Sequence, residues 1–308
     1  MRIDRREFLG TAMVGAGGVT VARDALAVAR PSAKNFEPFE TVDLGKTGIR
    51  VSRVGIGTGS TGSKRSSNQT RLGKDKCTQL VRAAYDKGIR LFDMADLYGS
   101  HFALAGLKGL KRDSYAVVSK IWWRPGKALP EPERPDADVV VARFLKELGT
   151  DYIDVVQLHC VGEATWPTKL AKQMEILDKL KKKGAIRAHG VSVHGLAGLK
   201  TAAKEPWVDV IHARINAFGT AMDDKDPKKV APVLQEAHTN GKAVIAMKLI
   251  GNGKFRDDEE KKKVSLDYVL SLGCVDTMIV GFESTAEIDN YASRVRKVPR
   301  SIVGTKVI

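Results

Sequence analysis

Three cysteines, Cys77, Cys160 and Cys274, are all that 308 residues contain, and no two have the CxxC spacing. That pattern argues against a zinc site or an iron–sulfur cluster and leaves the three as buried thiols. Long apolar runs are also missing: nowhere do about 18 consecutive apolar residues occur, so no membrane anchor is expected in the mature protein. No fixed-period sequence repeat is present either, as expected where any repetition is one of fold only. The charge is lopsided, with 51 Lys and Arg against 36 Asp and Glu, a formal +15. A nucleic-acid surface would need basic residues interleaved with aromatics, and that motif is absent. The densest run, Lys179-Leu180-Lys181-Lys182-Lys183, instead suits the negative end of a helix dipole, and no nucleic-acid partner is expected.

What the chain has is a recurring pattern. Short apolar runs of strand length each end on a polar side chain: Ile89-Arg90-Leu91-Phe92 on Asp93, Tyr115 to Ser119 on Lys120, Ile153 to Leu158 on His159, and Ala188 to Val191 on Ser192. Helical stretches alternate with them, such as 74–87 with Cys77, Leu80, Val81 and Ala84 on one face and 136–148 with Val140, Phe144 and Leu148. Further strands are expected at 54–57, 208–214, 243–247 and 276–280, making eight strand–helix units with the last truncated. Polar groups at the exits of successive strands are how a parallel barrel presents its reactive side chains. The fold class expected is therefore α/β, a (β/α)8 TIM barrel, with residues 41–52 as a β-hairpin cap that turns near Gly45 to Gly48.

Two stretches are ambiguous. Gly57-Thr58-Gly59-Ser60-Thr61-Gly62 fits the GxGxxG dinucleotide fingerprint, but a helix must begin at once there, and polar residues 63–73 intervene. A mobile loop at the barrel mouth fits better. The exits after strands three and four carry Trp122, Trp123 and Trp166, as loop packing or as an apolar wall for a substrate.

The amino terminus stands apart. Paired Arg5 and Arg6 precede a glycine-diluted, mildly apolar window from Thr11 to Ala22, and Ala25-Leu26-Ala27 offers small residues for cleavage. Residues 1–27 resemble a twin-arginine export signal, and 28–40 form a polar linker before a barrel over 41–308. The expected location is periplasmic or exported, with the twin-arginine translocase as a partner.

Leu44-Gly45-Lys46-Thr47-Gly48, Phe92-Asp93-Met94-Ala95-Asp96-Leu97-Tyr98-Gly99, Lys120, Gln157-Leu158-His159 and Gly190-Val191-Ser192 together resemble an aldo-keto reductase over nearly all of residues 41–308. The resemblance implies hydride transfer between NAD or NADP and a carbonyl, alcohol or sugar substrate, with a catalytic tetrad on Asp93, Tyr98, Lys120 and His159. Tyr98 would be the general acid, its phenolate favoured by Lys120, which Asp93 holds; His159 would orient the carbonyl. It further implies cofactor contacts from Ser192, His212 and Lys248 and, after strand eight, from Gly281, Glu287 and Asn290. Val193 and His212 stand where the family usually has Asn and Gln, and Phe102 where it has Glu. A carboxylate at Glu287, with no cation in place, implies NAD rather than NADP, because it would repel a 2′-phosphate. Two other classes stay open: an exported nucleotide-binding protein without turnover, and a lyase using Lys120 as a Schiff-base amine.

Overall fold

The computed structural model describes residues 34–126 and 128–308; the export signal expected over 1–27 and the first part of the expected linker lie outside them. Eight strands form a closed ring of parallel neighbours. In chain order they are β3 (Val54–Gly57), β4 (Leu91–Asp93), β5 (Ala116–Ile121), β6 (Ile153–Val161), β7 (Ile186–Val193), β8 (Val210–Arg214), β9 (Ala243–Met247) and β10 (Thr277–Val280), which pairs back onto β3. An antiparallel hairpin, β1 (Thr41–Asp43) and β2 (Arg50–Ser52), precedes them. Leu44, Ile49 and Val51 from it cluster with Leu91, Ala116, Ala188, Val210 and Ala243, early residues of the barrel strands, so the hairpin plugs the amino-terminal end of the barrel.

The outer ring comprises α1 (Asn68–Arg71), α2 (Lys74–Asp86), α3 (Ala137–Leu148), α4 (Trp166–Lys169), α5 (Ala171–Lys182), α6 (Leu196–Lys204), α7 (Pro227–Thr239), α8 (Glu259–Ser271) and α9 (Thr285–Val295). Strand residues pointing outward, among them Val117, Val156, Leu158, Val191, Ile211 and Ala213, pack with Cys77, Val81, Phe144, Leu177, Leu199 and Leu234 from the helices. Period-two alternation in the strands and a stripe of spacing three and four in the helices thus meet in one layer. Among the described residues no helix is long and apolar enough to cross a membrane.

Three local expectations change. The last unit is complete, since α9 contributes Ile288, Tyr291 and Val295 to the core. Residues 34–40 are packed rather than strung as a linker: Phe36 is buried, its N–H donates to the Val298 carbonyl at 3.0 Å, and Asn35 Nδ2 donates to the Arg296 carbonyl at 2.8 Å. The loop after β3 is tied down. Arg65 donates its N–H to the Leu97 carbonyl and pairs through its side chain with Asp96 and Glu133, and Ser67 caps α1 through Thr70.

Candidate active site

Inside the ring, side chains two apart along each strand face the barrel axis, and going up a strand they change from apolar to polar. The column on β5 is Ala116, Val118, Lys120; on β6 it is Val155, Gln157, His159. Neighbouring columns bring Asp93 from β4, Ser192 from β7 and His212 from β8 to the same upper level, all buried. Polar groups in such a place need partners, because water cannot reach them.

Lys120 finds its partner in Asp93, whose carboxylate accepts from Nζ, and in the Met94 carbonyl at 3.1 Å. Burial, the largest influence on both groups, opposes their charges, and the pairing works the other way. Asp93 ends below the usual carboxylate range because Lys120 and His212 outweigh burial, whereas burial draws Lys120 below the ordinary lysine value although Asp93 resists it. Tyr98 sits beside this pair, with Lys120 Nζ 5.2 Å from its ring centroid and its hydroxyl 3.4 Å from His159 Nε2. The four tetrad residues therefore converge as the sequence predicts.

One expectation is reversed. Lys120 does not make Tyr98 easier to ionise, because burial governs the phenol. Burial, with a further push from the Asp93 carboxylate, raises the Tyr98 phenol well above its ordinary value. Burial, then Lys120, drives His159 well below the usual imidazole value. The pair is a protonated phenol beside a neutral imidazole, a proton donor with an uncharged hydrogen-bonding group.

The loop after β3 accounts for its own glycines. A Cβ on Gly59 would lie 2.3 Å from the Tyr98 ring, and one on Gly62 would lie 2.5 Å from it. Their GxGxxG spacing therefore seats the tyrosine and opens no dinucleotide turn. Trp122 sets its ring edge-on to His159 at 5.5 Å, whereas Trp166 is buried and packs near Trp207 at 6.3 Å. Trp122 thus stands beside the tetrad and Trp166 packs in the core.

A cavity of about 710 Å³ opens from Asp93, Tyr98 and the glycines of the β3 loop toward Lys248, Gly281, Glu287 and Asn290. The expected contacts on that far side all line it. Ser192 and His212 do not. Ser192 is buried with an unpartnered Oγ, and the neighbouring strand offers a second orphan, Gln157 Oε1. His212 points instead toward Asp93, its Nε2 3.2 Å from Asp93 Oδ1, and so stands off the lining of that cavity. Arg256 is the cation whose absence was expected. It reaches Glu283 at 2.6 Å and Glu287 at 3.5 Å, and Glu287 Oε2 also accepts the Glu283 N–H at 2.7 Å. Sequence offers no periodic signal for Arg256, which stands in the irregular stretch before α8.

His194 is the other residue missed. Strand β6 has a register irregularity between Leu158 and Val161, where Cys160 takes φ +62°. Cys160 Sγ thereby comes 3.4 Å from His194 Nε2, just past the end of β7. Burial pushes the Cys160 thiol up to about 12; burial, then Arg214, Lys248, Arg124 and Lys120, bring His194 down to about 3.

Known proteins share this arrangement. Residues 53–265, well over half of the chain, match the sequence model of the Aldo/keto reductase family. The NADH-specific methylglyoxal reductase of Escherichia coli is 29% identical over 207 residues, which are 61% of this chain and 62% of that protein. L-galactose dehydrogenase of Arabidopsis thaliana is 25% identical over 294 residues, 83% of this chain and 88% of its own. The chain spans less than two thirds of the length of the curated relatives it first matches, 62% and 56% for the first two. Two solved structures share the fold. The holo aldo-keto reductase of Bacillus halodurans has TM-score 0.67 at 22% identity, covering 88% of this chain and 97% of that one. The Klebsiella pneumoniae aldo/keto reductase in complex with NADP and acetate has TM-score 0.61 at 22% identity, covering 84% and 90%. With eight parallel strands carrying the tetrad at their exits and a family match across most of the barrel, the chain belongs to the aldo/keto reductase family.

Proposed function

We propose that the protein is a nicotinamide-dependent oxidoreductase that interconverts an aldehyde, ketone or sugar carbonyl with the alcohol. One observation carries this: the Tyr98 hydroxyl, 3.4 Å from His159 Nε2 and beside the Lys120–Asp93 pair, stands at one end of a cavity long enough to continue to Lys248, Arg256 and Asn290. The residues present fit a nicotinamide nucleotide. The orphaned Ser192 Oγ and Gln157 Oε1 need hydrogen-bonding partners of the kind a carboxamide brings, and cations and the first turn of α9 suit phosphates and ribose. When bound, the cofactor supplies or accepts the hydride at the carbonyl carbon. Tyr98 gives its proton to the carbonyl oxygen, and neutral His159 offers that oxygen a second donor. Trp122, edge-on to His159, backs that imidazole. Lys120 and Asp93 fix each other beneath the tyrosine.

Tyr98→Phe should keep the fold and nucleotide binding while lowering turnover by about two orders of magnitude or more, the usual worth of a general acid. Unchanged turnover with methylglyoxal, aryl aldehydes and sugars as substrates would overturn the assignment. NAD is the cofactor we favour. A 2′-phosphate would have to displace Glu283 and Glu287 from Arg256, whereas a ribose hydroxyl could donate to either carboxylate. Direct titration with both nucleotides decides, and tighter NADP binding would refute the preference.

A binding role without turnover is the second reading, favoured by Val193 and by His212 turned toward Asp93, since both remove polar contacts at the nicotinamide end. Saturable nucleotide binding with no hydride exchange across the panel would select it. A Schiff-base role is opposed by the engagement of Lys120 Nζ with the Asp93 carboxylate and the Met94 carbonyl, which ties the amine down. Export rests on residues 1–27 alone; we propose it as a separate property, tested by fractionating cells that make the full chain or one with Arg5→Lys and Arg6→Lys.

A further inference from the structure

The bulge on β6 has an effect that a regular strand could not produce. Successive side chains of a strand point to opposite faces, so His159 and Cys160 should diverge. The extra residue and the positive φ of Cys160 turn the thiol back to the barrel mouth. One ring nitrogen of His159, Sγ of Cys160 and one ring nitrogen of His194 consequently lie within 4.8 Å of one another, with His159 and Cys160 buried and His194 half-buried. Tetrahedral coordination with metal–sulfur and metal–nitrogen bonds of about 2.3 and 2.0 to 2.1 Å separates S from N by about 3.5 Å. The Cys160 Sγ to His194 Nε2 distance is 3.4 Å. His159 also has an unpartnered buried nitrogen, Nδ1.

We propose that His159, Cys160 and His194 form a site for a thiophilic metal ion, with Cu(I) preferred over Zn2+, and that the ion shuts the reductase by taking a ring nitrogen of His159. The preference follows from charge. Arg124, Arg214, Lys120 and Lys248 all face the cluster, and of these four, among the described residues, only Lys120 and Arg214 have carboxylate partners, Asp93 and Asp223. Binding breaks the Cys160 S–H bond, releases the proton to solvent and forms a sulfur–metal bond. A monocation then leaves the net charge of the cluster unchanged, whereas a dication raises it by one among four cations. Thiolate and imidazole donors are also the soft set that Cu(I) favours. No electron transfer is involved. Metal binding stands on geometry alone; the inhibition rests on the reductase reading above.

The test is anaerobic titration of the full chain with Cu(I) against bicinchoninate, followed by the thiolate-to-copper absorption in the near ultraviolet. One equivalent should be held. Cys160→Ser and His194→Gln, each checked for fold by circular dichroism, should abolish the absorption or weaken binding by on the order of tenfold or more, since even outer-shell changes at metal sites have effects of about 10- to 100-fold. A chain with Cys77→Ser and Cys274→Ser should still bind, because both thiols are buried elsewhere in the core. Zn2+ should compete weakly. No binding, binding unaffected by Cys160→Ser, or binding lost with Cys77 and Cys274 would overturn the site, and Zn2+ held as tightly as Cu(I) would overturn the preference. One equivalent of Cu(I) should suppress carbonyl reduction by the wild-type chain and leave Cys160→Ser at its own metal-free rate; equal suppression of both would overturn the inhibition. Binding and absorption need no turnover, so a failure to reduce any carbonyl strikes the function proposed above and leaves these readouts standing.

Discussion

The two ends of the barrel interior solve opposite problems with the same strands. At the amino-terminal end Leu44, Ile49 and Val51 from the hairpin close a plug of Leu91, Ala116, Val118, Val155 and Ala188, apolar throughout. Two or four residues further along, the same columns carry Asp93, Lys120, Gln157, His159 and Ser192. The lower end collects hydrophobic stabilisation. At the upper end, buried charges and orphaned polar atoms are held in place by the surrounding walls. Stability and chemistry are therefore separated along one axis, only a few residues of strand apart.

The largest expected effect breaks the upper end. Lys120→Met leaves Asp93 buried with only His212 nearby, which should destabilise the fold by about 3 to 5 kcal/mol and remove turnover together, read by denaturant unfolding and steady-state kinetics. Full stability in that variant would mean the pair is not held as described. Next comes the plug: Leu44→Ala deletes a fully buried side chain and should lower stability by about 3 kcal/mol while kcat at a temperature below the transition stays unchanged. A fall in kcat there would show that the two ends are coupled after all.

The smallest effect sharpens the contrast, because a half-buried acid sits at the lower end. Asp276, just before β10, accepts the Val244 N–H at 2.7 Å, and burial pushes its carboxyl up to about 6. The native state then holds this proton over a range where the unfolded chain has lost it. Stability should fall as pH rises from about 4 to 6 and level off above that, by about 2 kcal/mol. Asp276→Asn, which keeps an acceptor for Val244, should flatten that interval in unfolding curves measured at several pH values. A profile unchanged by the substitution would place the titration elsewhere.

Strand ends and the tetrad are legible in the sequence because both depend on local facts: an apolar run of strand length, a polar residue at its exit, and the Asp93 to Tyr98 spacing. Parallel pairing and right-handed crossovers then bring those exits together. His194, Arg256 and the inward turn of His212 are not legible in that way. Cys160 meets His194 only because β6 bulges, and a bulge changes register without a compositional mark. Arg256 stands in irregular chain, and its partners Glu283 and Glu287 follow only after α8 and β10. His212 occupies an inward position that sequence assigns correctly to the barrel, yet its depth relative to Asp93 depends on the stagger of strands four positions apart in the ring. The Tyr98 phenol shows the same limit in electrostatics: its closeness to Lys120 and the hold of Asp93 on that lysine were foreseeable, but the dominance of burial over both required the packed arrangement.

The seat formed by Gly59 and Gly62 against the Tyr98 ring has a kinetic meaning. With two backbone segments closer than any side chain would allow, and with Arg65 fastening the same loop to Asp96, the ring has little room to swing. The phenol's remaining freedom is rotation of its O–H bond, so the proton leaves along a narrow cone of directions whichever carbonyl arrives. A substrate must bring its oxygen to that cone, because the acid does not travel to meet it. Stereochemical outcome would then be decided by how the Trp122 side of the tetrad rotates the incoming molecule about a fixed proton, and bulk on that side would exchange one face of the carbonyl for the other without altering the acid at all.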